Sequence, residues 1–229
     1  MIKDLNAKFS GCLNGMILAE RVLNEELLAT REAFELARVI SQTAAAEALA
    51  PKLPPVAWVS SSSASLIGLI FHDRFADVFE FCRQDALFKT AASQCAALGA
   101  SLMVASACFD VPIGVWPNEV ATIIKGVDDY FVTLVDEATR RSMEDISHTD
   151  FFKEMNAKAD ADTAVVTMSL FCCLRNQNFL KAVEQARDAG PHVAILTGGA
   201  MGAAFPKSVD LADPMAQDLC PSLIARRDF

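Results

Sequence analysis

Three features that define common functional classes are missing from this chain of 229 residues. No block of lysine and arginine stands out, and the formal net charge is −9, which argues against nucleic-acid binding through a basic face. No uninterrupted apolar run reaches the ~18 residues of a membrane helix, and the opening MIKDLNAKF is too polar for a secretory leader. We therefore expect a cytoplasmic protein with neither a nucleic-acid nor a membrane partner.

The seven cysteines lack the spacing of a metal site or a disulfide framework. Their number is odd, no CxxC pair occurs, and no closed ligand set indicates zinc. We expect reduced, mostly buried thiols, no metal and no cofactor. Cys172 and Cys173 are adjacent and precede Arg175, which is an environment that lowers a thiol pKa, although packing is the simpler interpretation.

The composition favours one compact domain with a sizeable core, because 52% of the residues are hydrophobic and the mean hydropathy is +0.28. Apolar residues at a three-to-four spacing predict helices over 13–49, and prolines at 51, 54 and 55 end that region. Within this domain we expect an N-terminal helical region at 1–50 and an α/β region at 51–229.

Short apolar segments alternate with helical patterns after residue 50, which is typical of a parallel sheet covered on both faces. The interpretation is an α/β fold, a three-layer sandwich with a mostly parallel sheet and N-terminal helices. Ligands of such sheets bind beyond the carboxyl ends of the strands, which places the loops at 60–65 and 171–178 at the expected site. The predicted strands are 56–59, 101–107, 163–169 and 192–199. The predicted helices after residue 50 are 64–75, 77–97, 119–144, 149–159 and 179–189.

The segment VAWVSSSSASLIG at 56–68 carries five serines in six positions. Three interpretations are open. The serines form an anion-binding loop together with a helix N-terminus near Ala64, or one serine caps that helix, or the segment is a linker. The apolar segments on both sides make the linker the weakest of the three.

The order of these segments resembles the SIS (sugar isomerase) domain, and within it the phosphoheptose isomerase group. The stretches that carry the resemblance are AERVLNEELLATREAFELARVI (19–40), VAWVSSSSAS followed by HDRF (72–75), DFFKEMNAKADADTAVVTMS (150–169) and RNQNFLKAVEQARDAGPHVAILTGG (175–199). In that family, a loop after the first strand and a loop before the LTG-type segment hold the phosphate of a sugar.

The resemblance implies a five-stranded sheet and a homodimer or homotetramer, with the N-terminal helices at 1–50 as its oligomerisation region. It also implies a phosphorylated sugar or similar small anion as the ligand. A non-catalytic role through protein contacts, as in the family's DnaA-associating subgroup, is the alternative, and RNQNFLKAVEQARDAGPHVAILTGGAMGAAFPKSVDL (175–211) also resembles the opening of crotonase-fold proteins. The ligand-binding residues that the resemblance implies are Ser60, Ser61, Ser62, Ser63, Ser65, Arg175, Asn176 and Asn178.

Catalysis is left open, since the residues that the family uses are not matched. The position of its glutamate falls on Ile70, and the C-terminal PSLIARRDF contains no histidine. His72 is the nearest candidate for an acid or base. His192 starts the last predicted strand and would lie at the wrong edge of a sheet, His148 reads as a surface residue, and Asp110 and Glu119 flank the loop after the second predicted strand.

Overall fold

The computed structural model describes residues 4–21, 23, 26–42, 59–85, 87–209 and 211–225. Within these residues every regular element is a helix, so the predicted α/β sandwich with its five-stranded parallel sheet is wrong. The helices are α1 Leu5–Arg21, α2 Leu28–Ser41, α3 Ser65–Ile70, α4 Phe75–Cys82, α5 Ala91–Cys108, α6 Trp116–Ile124, α7 Asp129–Ser142, α8 His148–Lys158, α9 Ala161–Asn176, α10 Phe179–Ala189, α11 Pro191–Ala204 and α12 Pro214–Ala225, with 3₁₀ turns at Ile113–Val115 and Pro206–Ser208.

Three apolar helices, α5, α9 and α11, pack against one another at the centre of the fold. They contain the segments 101–107, 163–169 and 192–199 that the sequence pattern assigned to strands. A helix that is buried on all sides is apolar all round, so its sequence cannot be told from that of a buried strand by periodicity. The remaining predicted strand, 56–59, lies outside the described residues except for Val59.

The remaining helices form a layer around this core. Helices α3, α4 and α6 pack on α5, helices α7 and α8 on α9, and helix α10 on both α9 and α11. Helix α1 lies along α11 and also contacts α12 and α2. The helices of the predicted oligomerisation region thus pack against later parts of the chain, and their role in oligomerisation stays a prediction.

Helix α1 and helix α11 run antiparallel with their backbones in direct contact. Gly11 faces Gly202, and Gly15 faces Gly198, so a Cβ added at any of the four would come within 3.0 Å of a carbonyl oxygen on the facing helix. Only glycine permits this approach, which fixes the register of the two helices.

Several helix limits follow local signals that the sequence contains. Helix α10 was predicted, and it is confirmed with Asn178 as its N-cap and Gly190 as its stop at φ +112°. The predicted helix at 119–144 is instead divided into α6 and α7, because the chain turns at Gly126 with φ +82°. The predicted helix at 77–97 is likewise divided, and α5 begins after a capping box formed by Thr90 and Ser93.

Helix α5 is long and apolar enough to cross a membrane, by length and composition alone, and it is the one such helix among the described residues. In this fold 83% of it is buried by the surrounding helices. Core helices of compact domains have the same composition, so the apolar sequence of α5 does not by itself indicate a membrane span.

Six of the seven thiols are buried and Cys220 is half-buried, which agrees with the mostly buried thiols that the sequence predicted. All seven are free, and burial raises the pKa of Cys82 and Cys108 to about 12 and that of Cys95 to about 11. The adjacent Cys172 and Cys173 are fully buried, and burial raises the pKa of both thiols, which favours packing over the reactive-thiol interpretation.

We expect native protein at pH 8 to react with Ellman's reagent at no more than one thiol. That thiol is Cys220, which alone among the seven is half-buried, whereas unfolded protein should titrate all seven. The Cys220→Ser variant, as the control, should show no rapid reaction. Rapid reaction of two or more thiols in the folded wild type would contradict the described burial.

Candidate functional site

The serine cluster, defined as Ser60, Ser61, Ser62, Ser63 and Ser65, forms the turns that lead into α3. The amides of Ser63 and Ser65 donate to the carbonyl oxygens of Ser60 and Ser62 at 3.0 and 3.2 Å. Every member except the half-buried Ser60 is fully or almost fully buried. Burial on this scale excludes the linker interpretation.

Two carboxylates from distant helices bind the first amides of this turn. Glu32 of α2 accepts from the Ser60 amide at 2.7 Å and from the Ser63 hydroxyl at 3.1 Å. Asp162 of α9 accepts from the Ser61 amide at 3.2 Å. The two bound carboxylate oxygens lie within roughly 10 Å of each other, because consecutive amide nitrogens are less than ~3.8 Å apart. The amides at the start of the turn therefore do bind anions, but these anions are the carboxylates of Glu32 and Asp162 and not an external ligand.

A half-buried imidazole completes the cluster. The Ser62 hydroxyl lies 3.0 Å from His192 Nδ1, and the Ser60 hydroxyl lies 2.9 Å from the hydroxyls of both Ser62 and Ser63. His192 occupies the first turn of α11, and Asp162 occupies the first turn of α9. The amino ends of these two core helices thus converge on the serines.

The two carboxylates at the serine cluster carry more negative charge than the nearby helix ends offset. Each helix N-terminus is equivalent to about +0.5 charge, so α9 and α11 together offset about one of the two carboxylates. The remaining negative charge disfavours a phosphate dianion at this position. Hydrogen-bond donors are favoured instead, because a carboxylate has about four acceptor positions and these two have capacity beyond the bonds to the turn.

One hydroxyl at the base of the cluster is buried without a hydrogen-bond partner among the described residues, namely Ser65 Oγ. Leaving a buried hydroxyl unpaired is unfavourable by roughly 1–3 kcal/mol.

The second group of predicted site residues lies at the other end of α9. Asp162 and Arg175 are separated by roughly 20 Å along that helix, at 1.5 Å per residue. The Arg175 guanidinium stacks on Phe171 and donates to the Glu144 carbonyl at 3.3 Å. Asn178 caps α10 by accepting from the Lys181 amide at 3.2 Å. The structure therefore does not bring the two predicted loops together.

Asn176 serves a local structural contact, since its amide group donates to the Cys172 carbonyl at 2.9 Å and to Gln185 at 2.8 Å. His72, the catalytic candidate, is fully buried with Nδ1 2.9 Å from the Leu69 carbonyl and its ring against Phe9 and Phe109. Neither side chain has a described contact with the serine cluster. His148 pairs with Asp188 at 2.7 Å at the surface.

Sequence reasoning missed Glu32, Asp162 and His192, and for two of them a signal was present. Pro191 follows Gly190, and proline is favoured at the first position of a helix, so GPHVAIL indicates a helix that starts at Pro191 and holds His192 in its first turn. Asp160 likewise caps α9, because its carboxylate accepts from the amides of Asp162 and Thr163, both at 3.1 Å. Both signals argue for helix amino ends where strands were predicted.

No group of three His, Cys, Asp or Glu side chains among the described residues could hold a metal ion. No protein-family model matches the chain, and no curated protein matches it. In the part of the chain that the structure describes, the fold and the site together define a helical protein with a buried polar cluster at the amino ends of its core helices. The resemblance to the SIS domain stays a prediction, without the sheet that it implied.

Proposed function

We propose that the chain binds a small, hydroxyl-rich ligand of the sugar class at the serine cluster. The observation that carries this proposal is the meeting of two carboxylates, from α2 and α9, on one serine turn beside His192. Hydroxyl groups that donate to carboxylates form charge-assisted hydrogen bonds, which are about twice as strong as neutral ones. A few such groups in fixed positions are the usual means by which a site orients a small ligand.

The same geometry favours a neutral sugar over a phosphorylated one. The Ser60 and Ser61 amides, which an external phosphate would need, already donate to Glu32 and Asp162. A phosphate dianion would also meet the excess negative charge of the two carboxylates. Sugar-phosphate binding and isomerisation, which the SIS resemblance implied, therefore remain weaker proposals than binding of the neutral sugar.

The test is a thermal-shift panel of neutral sugars, polyols and nucleosides beside their phosphates, followed by calorimetry on any compound that stabilises the protein. A ligand at one hundred times its Kd stabilises by about 2.7 kcal/mol, which a melting curve detects easily. We expect stabilisation by at least one neutral compound, lost in Asp162→Asn and reduced in Ser62→Ala. These variants remove acceptor charge and one hydroxyl while leaving the helix caps in place.

Asn178→Ala provides the matched control, since it lies at the far end of α9 and its loss of a cap lowers stability by about 1 kcal/mol. Its ligand-induced shift should equal that of the wild type. A response confined to phosphorylated compounds would overturn the neutral-sugar proposal in favour of the anion loop. The absence of any response would favour the alternative role through protein contacts.

A further inference from the structure

Two adjoining cavities lie at the end of the core helices opposite the serine cluster. Their volumes are about 490 and 320 Å³, and both are lined by Asp110, Ala204 and Phe205. Helices α5, α9 and α11 all end at these cavities. We call the two cavities together the carboxyl-end groove. The length of α11, roughly 20 Å, separates the groove from the serine cluster, so a small ligand in one does not touch the other.

Lys8 supports the wall of this groove from within the protein. Its ammonium donates to the carbonyl oxygens of Ala107 and Ala203 at 2.9 and 3.3 Å and to Asp110 Oδ1 at 2.6 Å. The residue is only 4% exposed, and an ammonium group has three protons, so these acceptors use its full donor capacity. Lys8 therefore positions Asp110 and binds one terminal carbonyl of each of α5 and α11, and it has no proton left for a ligand.

Asp110 occupies a backbone position that glycine normally fills. The amides of Val111 and Asp110 donate to the carbonyls of Ser106 and Ala107 at 3.0 and 3.2 Å, which is the Schellman arrangement after α5, and Asp110 has φ +58°. The Asp110 carboxylate is thus placed at the end of α5, although a residue with a side chain adopts this left-handed backbone conformation less readily than glycine. Its side chain is 65% exposed and lies between the two cavities.

The charge balance of the groove is negative. The acidic side chains of Asp4 and Asp110 are offset by Lys8 and Lys207, which also line the larger cavity. The carboxyl ends of α5, α9 and α11 each contribute about −0.5 charge in addition. Phe205 and Pro206 supply an apolar wall beside these charges.

We propose that the carboxyl-end groove binds a small organic cation, namely an aliphatic amine of the diamine or polyamine class. The ammonium group of the ligand pairs with the free side of the Asp110 carboxylate and with the negative helix ends, and its methylene stem packs on Phe205. A neutral or anionic ligand would gain nothing from this potential. The proposal does not depend on sugar binding at the serine cluster.

The experiment is calorimetric titration of the full chain with putrescine and spermidine, with 1,4-butanediol as the uncharged analogue. We expect saturable binding of the amines that weakens with added salt, and no binding of the diol. Asp110→Asn should bind about tenfold more weakly, since asparagine tolerates the left-handed backbone but lacks the charge. Lys207→Gln should bind more tightly because it removes a repelling cation.

Asp162→Asn, at the serine cluster, is the matched control and should bind the amines as the wild type does. Should Asp110→Asn fail to fold by circular dichroism, Asp4→Asn replaces it, because asparagine retains the contact that Asp4 makes with the Ala7 amide at 3.1 Å. Asp4→Asn should then bind severalfold more weakly. Absence of amine binding, equal binding of the diol, or unchanged affinity in a folded Asp110→Asn or Asp4→Asn variant overturns the proposal.

Discussion

Replacing Gly202 by alanine is expected to lower the free energy of unfolding by about 3 kcal/mol. In an isolated helix the same change would stabilise by about 1 kcal/mol, because alanine is the better helix former. Here the new Cβ would collide with the Gly11 carbonyl oxygen and lie close to Gly15. Two helix backbones would have to separate, and overpacking of this kind costs typically 1–3 kcal/mol and occasionally more.

Urea denaturation of Gly202→Ala and of its neighbour Gly199→Ala provides the comparison. The Cβ added at Gly199 would meet Met16 Cγ at 3.0 Å, and a methionine side chain can move aside. We therefore expect Gly199→Ala to stay within about 1 kcal/mol of the wild type. Equal stability of the two variants would show that α1 and α11 do not pack by backbone contact.

The second large effect is expected at Glu20, where Glu20→Gln should lower the free energy of unfolding by about 2–4 kcal/mol. Helix α2 begins without a side-chain cap of its own, and its N-cap residue Leu27 has φ +53°. Glu20, which is fully buried on α1, instead accepts from the amides of Ala29 and Thr30 at 2.9 and 2.7 Å. A glutamine retains one acceptor and turns a donor toward the other amide, leaving buried donors unpaired.

Chemical denaturation measures this effect, and Glu35→Gln on the exposed face of α2 is the control. Glu35 pairs with Arg38 at the surface, so its loss should change stability by less than about 0.5 kcal/mol. Because α2 also carries Glu32, Glu20→Gln should weaken ligand binding at the serine cluster as well. A Glu20→Gln protein as stable as Glu35→Gln would mean that the start of α2 does not depend on α1.

Local patterns were sufficient to predict some elements of the fold. Helix α10 has an amphipathic face, an Asn178 cap and a Gly190 stop, and each of these is visible within a dozen residues. The core helices α5, α9 and α11 lack a polar face, so their sequences carry no helical periodicity, and their short apolar runs match the pattern of buried strands equally well. Only the flanking caps, Asp160 and Pro191, contained the information that would have corrected two of the three.

Only the part of the candidate site that is contiguous in the chain could be predicted from the sequence. The serine cluster was recognisable because unusual residues follow one another in the chain. Its partners could not be inferred once the fold class was wrong, since Glu32, Asp162 and His192 are brought to it by tertiary packing alone. Arg175 and Asn178 are ligand residues only if the sheet implied by the resemblance exists, because that sheet would have placed their loop at the same edge as the serines.

The pairing of α1 with α11 also bears on how the chain acquires its structure during synthesis. Gly11 and Gly202 are about 190 residues apart, so at 5–20 residues per second a ribosome needs roughly 10–40 s to produce the partner of the first helix. Throughout that interval Gly11 and Gly15 of α1 have no α11 backbone to pack against, as they do in the complete fold. Among the described helices, α1 is thus synthesised before all the others but docks on α11 only after most of them have been made.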